Sequence, residues 1–300
     1  MRLVLLYSSD GFDLDVLTNQ RELYETLGFK VVWGRVMIPC DLIVVLRCME
    51  SDTINPPHST PLLFLDYSGQ DVLSVFQQTN THNKRCITSL RTQFKDDKIH
   101  FGHPYVSIHI QSNPLDNLVY DYVHIGNYKP KRWLNMLKRS FDSYCVQVKA
   151  SVWGKNWPVE GLLGVNYNGA LRPEKVSTIY AKSKIALGVK HDFQIGRAIS
   201  GRYWHAPLNG CILLVEDDNL VNEIPGVFTY DFEGDFPNRE TLQEEARKFW
   251  RNSNNLQKKL SLDLIEQSDK RKLLNFVYYN LYALYSALYE RYRLSTYGKV

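Results

Sequence analysis

Short, unbroken apolar runs separated by helix-patterned segments constrain this chain more than any other feature. Arg2 to Tyr7, Phe29 to Trp33, Leu42 to Leu46 and Leu62 to Leu65 each read as a strand, bounded by Gly, Pro or Asp. A strand that is apolar on both faces must be covered on both, and a parallel sheet with crossover helices provides that cover. Asp15 to Leu27 reads as one such helix, with Val16, Leu23, Tyr24 and Leu27 as its apolar positions and Gly28 as its C-cap. The stretch from Arg85 to His109 shows no regular period.

A polar segment, Gln111 to Asn117, reads as a linker, and a second alternating pattern follows it. Tyr120 to Ile125 is a strand, Gly126 to Pro130 a turn, and the next helix carries Trp133, Met136, Leu137 and Phe141 on one face. Ser143 to Ala150, Lys184 to Val189, Cys211 to Val215 and Val227 to Tyr230 continue the strands. The expectation is an α/β protein with two Rossmann-like domains facing a cleft, residues 1–116 and 117–265, with ligand at the strand C-termini. From Asn238 onward the pattern is helical. Leu274, Val277, Leu281, Leu284 and Leu288 repeat at helical spacing, flanked by Tyr278, Tyr285 and Tyr292. That predicts a terminal helix, residues 266–300, packing its apolar side on the body. An interaction surface or a nucleic-acid stacking platform is the alternative.

Composition narrows the setting. The 300 residues are 44% hydrophobic and 23% charged, ordinary for a globular protein, and the net charge of +4 permits an anionic ligand without requiring one. Five cysteines are scattered with no CxxC pair, which predicts free thiols in a reducing compartment. The apolar start, MRLVLLYSSDGF, reads as a first strand and not as a signal segment. No run approaches the roughly 18 apolar residues of a membrane span. The cytoplasm is the expected location, and the sequence sets no oligomeric state.

The richest stretch is Ser183 to Asp217. A strand breaks into a polar loop carrying His191, Asp192 and Arg197; a short helix opens at Gly201-Arg202 and stops at Asn209-Gly210; a second strand follows. Strand ends and a helix N-terminus together suit an anionic ligand. Arg202, at the helix start, could hold a diphosphate in bidentate fashion, or form a structural ion pair. The Gly126-Asn127 turn leads a strand into a helix and offers backbone N–H groups, or is a plain turn. Trp153-Gly154 suggests a flat surface for a planar ring, or a packed aromatic. In the first domain, Ser8 to Gly11, Arg47 and Asp66 to Gly69 follow strands. Asp66 is the candidate carboxylate beside an acceptor, with a turn or N-cap role as the alternative. His103 and His109 are unoriented candidate bases. No HExxH is present, and no metal is expected.

These motifs resemble the donor-site region of GT-B glycosyltransferases, the spore-maturation-protein-like branch in particular, with its S-R-x-F-E-A-x-A-x-G-x-x-L-L signature. The resemblance covers about Val123 to Asp217. It implies that Gly126 opens the second domain, that Asn127 stands where an Arg is usual, and that Arg132 falls at a Lys facing the donor diphosphate, with Lys129 and Lys131 as substitutes. Tyr167 to Glu174, including Gly169, matches a turn that frames the nucleotide base. Gly201 and Arg202 lead the signature helix. His205 stands at the Glu that holds the ribose, and Arg197 near the second acid, so both acids are missing; Glu216 and Asp217 are the nearest replacements. The implied activity is sugar transfer from a nucleotide-diphosphate sugar, a UDP-sugar before others, with retention and without metal. Arg202, Arg132 and the Gly126 amide would neutralise the leaving phosphate. The acceptor would be a glycan, protein or lipid hydroxyl, or a hydroxylated base in phage DNA. A catalytically degenerate nucleotide- or carbohydrate-binding protein is the alternative. A Rossmann oxidoreductase is disfavoured, because the first strand leads into Ser-Ser-Asp-Gly and not GxGxxG.

Overall fold

The structure, a computed structural model, describes residues 2–9, 11, 14–49, 51–57, 60–67, 71–88, 95–108, 118–128, 130–131, 133, 150–158, 165–189, 200–216, 221 and 223–297. The first unit runs β1 (Leu3–Ser8), α1 (Leu14–Thr26), β2 (Lys30–Gly34), β3 (Leu42–Arg47), β4 (Leu62–Asp66), α2 (Asp71–Gln78), β5 (Lys84–Thr88) and β6 (Ile99–Phe101). Its six strands pair in the order β2-β1-β3-β4-β5-β6, every pair parallel. The continuous apolar runs have the expected cause. Val4, Leu6, Val44 and Leu63 face Leu23 and Tyr24 of α1, while Leu5, Ile43, Val45 and Phe64 face Val72, Val75 and Phe76 of α2. Alternate residues of one strand thus enter two different cores. Strands β5 and β6 lie where the sequence shows no period. Lys84 opens β5 with its amine turned to the carbonyl of Thr79 (2.7 Å) and the ring of Phe76, which closes the C-terminus of α2.

The second unit continues with β7 (Tyr120–Ile125), β8 (Ala150–Trp153), β9 (Val165–Tyr167), a 3-10 turn (Pro173–Lys175), α3 (Val176–Ala181), β10 (Ser183–Gly188), α4 (Arg202–Leu208), β11 (Ile212–Val215) and β12 (Val227–Thr229). These strands form a second parallel sheet, β12-β11-β10-β7-β8-β9. The proposed linker, residues 111–117, lies outside the described residues, as do Met136, Leu137 and Phe141 and the segment 143–149. Trp133 is described and buried.

The last element, α5 (Arg239–Tyr297), is a single helix of 59 residues, so it begins well before residue 266. Its first turn is stitched to the second unit. Arg239 donates to the carbonyls of Gly210 (2.8 Å) and Ala181 (2.7 Å), and Gln243 donates to that of Leu208 (2.7 Å). Ala246 and Trp250 enter the core of the second sheet, and Leu260, Leu264 and Ile265 enter that of the first. The boundary at 265 is therefore corrected: residues from Leu256 to Ile265 pack on the first unit, not the second. Between the two stretches lies a buried polar seam. Asn254 accepts from the Val106 N–H (2.9 Å) and donates to the Val106 carbonyl (2.7 Å). Gln257 accepts from the Tyr105 N–H (2.7 Å), and Tyr24 and Ser261 share a hydroxyl contact (2.9 Å).

Beyond the Arg2–Asp269 (3.0 Å) and Lys272–Asp41 (4.0 Å) ion pairs the helix parts from the body. Leu274, Val277, Leu281 and Leu284 are exposed there, which corrects the expectation that this stripe packs back.

Candidate active site

Every strand in each sheet runs the same way, so all strand C-termini of a sheet share one edge. On the second sheet that edge gathers Gly126 after β7, Gly154 after β8, Val189 after β10 and Glu216 after β11, with α4 starting beside them. Gly154, at φ 141°, lies so close to the neighbouring turn that a Cβ there would stand 2.1 Å from the Gly126 carbonyl oxygen. A Cβ on Gly126 would stand 2.3 Å from Nη2 of Arg202 and 2.9 Å from Nε2 of His124. Gly169, at φ 80°, returns its carbonyl to the Gly154 N–H (3.0 Å), and Tyr167 donates its hydroxyl to the Gly154 carbonyl (3.0 Å). Side chains are absent where the turns meet because backbone meets backbone. Above Gly169 there is open space.

Arg202 joins the central strands. Its Nε donates to the Ile125 carbonyl (2.9 Å) and its Nη1 to that of Val189 (3.3 Å), spanning the ends of adjacent β7 and β10. Nη2 is the part of the fork turned to Gly126. The Gly126 N–H, an expected phosphate donor, is occupied: it donates to the Trp153 carbonyl (2.8 Å) as the ladder's continuation. The next amide nitrogen, that of Asn127, lies against the Gly154 turn, 3.1 Å from where a Cβ there would stand. The Asn127 side chain fixes this turn by accepting from the Lys155 N–H (2.9 Å).

His124, on β7 behind this edge, is fully buried. Its Nδ1 donates to the Leu187 carbonyl (2.7 Å), leaving Nε2 bare of a proton towards Gly126 and Arg202. Burial and then the Arg202 cation push its pKa down to about 3, outweighing the Leu187 bond. A neutral imidazole beside a guanidinium leaves the edge cationic without like-charge repulsion. The ring rests against Trp133 and Trp157, and the Trp157 indole N–H donates to the Gly126 carbonyl (2.9 Å). His124 and Trp157 were given no role in the sequence reading. A histidine closing an otherwise apolar strand was the available signal.

The structure thus brings together Gly126, Asn127, Gly154, Tyr167, Gly169 and Arg202. Gly201 precedes α4 and accepts the His205 N–H (2.9 Å). His205 lies one turn further along, buried, its ring tilted against Trp204. Glu216 is nearly buried just past β11. Arg132, Arg197 and Asp217 lie outside the described residues. Two expectations are corrected. Trp153 is a core residue, set edge-on to Tyr120 at 5.3 Å, so its face is not a platform. Asp66 has no exposed surface and accepts from the Thr88 hydroxyl (2.7 Å), so it fastens β4 to β5 and offers nothing to an acceptor. His103 is buried 3.8 Å from Glu223, where the first unit meets the second. Among the described residues no group of three His, Cys, Asp or Glu side chains could hold a metal ion.

Two six-stranded parallel sheets with a site on the strand edge of the second define the GT-B fold of glycosyltransferases. AviGT4, a glycosyltransferase involved in avilamycin A biosynthesis, is similar at a TM-score of 0.61 and 14% identity, over 89% of this chain and 99% of that one. An alpha-glucosyltransferase in complex with UDP and a 13-mer DNA is similar at 0.51 and 10% identity, over 89% and 94%. The family model described as glycosyl transferase-like matches residues 129–262. No curated protein matches it in sequence.

Proposed function

We propose that this protein is a glycosyltransferase that transfers sugar from a nucleotide-diphosphate sugar, a UDP-sugar first, to an acceptor hydroxyl. The observation that carries this reading is the glycine-floored strand edge with Arg202 braced across it, of which Arg202, Gly154 and Gly169 lie inside the glycosyl transferase-like segment and Gly126 just before it. The diphosphate lies against the Asn127 amide and Nη2 of Arg202. The base occupies the open space over Gly169, beside Tyr167. The ribose points towards His205 and Glu216, and Arg132 and Arg197 add positive charge from their segments. As the bond between sugar C1 and the diphosphate oxygen breaks, its electron pair passes to that oxygen, where a preplaced cation and an N–H stabilise the growing charge. The acceptor oxygen forms the new bond to C1 and gives its proton to the departing diphosphate. Retention and independence of metal belong to the same proposal. The cytoplasm is the proposed setting, where Cys40, Cys48, Cys86 and Cys211 stay free.

The acceptor is a glycan, protein or lipid hydroxyl, or a hydroxylated base in DNA; the DNA-bound alpha-glucosyltransferase makes DNA the first acceptor to test. The experiment measures nucleotide release from a panel of UDP-sugars, with chelator, with and without hydroxymethylated duplex DNA. Release that Arg202→Lys abolishes supports the proposal. Tight nucleotide binding with no release from any donor supports the second reading, a degenerate binding protein, which His205 at the resemblance's glutamate position favours.

A further inference from the structure

From Leu273 to Tyr289 the long helix carries no charged residue. The large apolar side chains described there, from Leu273 to Leu284, are between 45% and 67% exposed. They are not scattered. Leu274, Val277, Leu281 and Leu284 follow one another at steps of three and four, and the sequence carries the spacing on to Leu288. Tyr278 and Tyr282 stand beside them, their rings stacked at 6.4 Å. At 1.5 Å per residue the whole helix is roughly 90 Å long, so its end reaches clear of the sheets that bury its first half. A bare helical end of this length is marginal in water and needs a partner surface.

We infer that this overhang is a dimerisation helix, and that its occupant is the same helix of a second copy of this chain. The alternating three- and four-residue spacing is the seam of a two-helix coiled coil. Leu274, Val277, Leu281 and Leu284 lie within one narrow arc of the helix and are each between 45% and 67% exposed, so one partner helix can cover all four. The charge pattern separates this occupant from a lipid surface. A helix lying on lipid carries Lys or Arg along its polar face, whereas the polar positions of this segment are Asn275, Asn280 and Ser286. Its lack of charge also spares a self-paired seam any like-charge contact. The inference does not depend on the catalytic reading.

The test is sedimentation velocity of the full chain at micromolar concentrations. The wild type is expected at twice 34.9 kDa. The double variant Leu274→Asp/Leu281→Asp is expected at the single mass, with the thermal midpoint of the body and nucleotide release unchanged. Leu281 is the midpoint of the stripe from Leu274 to Leu288 and faces its own copy whether the helices run parallel or antiparallel. Leu281→Cys should therefore oxidise to a covalent dimer under conditions where the wild type does not. A wild type that stays monomeric, a double variant that stays dimeric, or a Leu281→Cys dimer without cross-link overturns the inference. So does a monomer that floats with anionic vesicles.

Discussion

Arg202 illustrates how one side chain serves both fold and site. Two of its nitrogens hold the carbonyls of Ile125 and Val189, and the third turns to the glycine floor. Arg202→Ala leaves both carbonyls short of a donor. Urea titration should show a loss of about 1–3 kcal/mol, alongside loss of nucleotide release. A loss of stability with release intact would leave Arg202 a brace only. His124 makes a separable prediction. Its folded pKa, about 3, lies below the unfolded value of 6.5, so only the unfolded chain takes up a proton between them. Its contribution is therefore full above pH 6.5 and is lost as pH falls, at about 1.4 kcal/mol per pH unit. His124→Gln, which keeps a donor for the Leu187 carbonyl, should flatten this acid limb of the midpoint-versus-pH curve. An unchanged limb would mean that another group sets it.

Among the elements, the strand-edge turns separate two reasons for glycine. Gly154 and Gly169 both have positive φ, but only Gly154 meets backbone. Gly169→Ala should cost about 1–2 kcal/mol, the left-handed penalty alone. Gly154→Ala should cost upwards of about 3 kcal/mol, because strain and overlap add. Denaturant midpoints compare the two, and equal losses would refute the close approach. The same turns mark how far the sequence could be read. Strands buried on both faces, such as β3 and β4, announce themselves by unbroken apolar runs. Short β6 and Lys84-led β5 do not, because an edge strand and a capping lysine carry no such run. The glycines and Arg202 were legible as a candidate strand-edge site. That the Gly126 N–H is taken was not, since it pairs with the Trp153 carbonyl and register is not written in composition. Asp66 likewise read as available because its partner, Thr88, lies on a neighbouring strand 22 residues away.

For the molecule as a whole, α5 decides the organisation. Its apolar spacing was visible in the sequence, but not that the helix starts at Arg239, crosses both cores and leaves its end uncovered. Asn254 is the sharpest probe of the crossing. Asn254→Leu strips both backbone groups of Val106 of their partner in a buried site and should cost roughly 2–5 kcal/mol. A calorimetric midpoint near wild type would mean that water or another donor fills the gap. Should the loss appear as a single cooperative transition, the two sheets unfold together; two transitions would mean they are separate units.

That crossing limits how such a chain can be recombined. Cutting at the polar segment between the sheets would seem to give two exchangeable halves. The first half would then lack Leu260, Leu264 and Ile265, which complete its core from far downstream. A chimera that joins one protein's first half to another's second half must therefore match a third piece, the helix, to both. Its first turns would have to come from the parent of the second half, and the turns around Leu260 from the parent of the first.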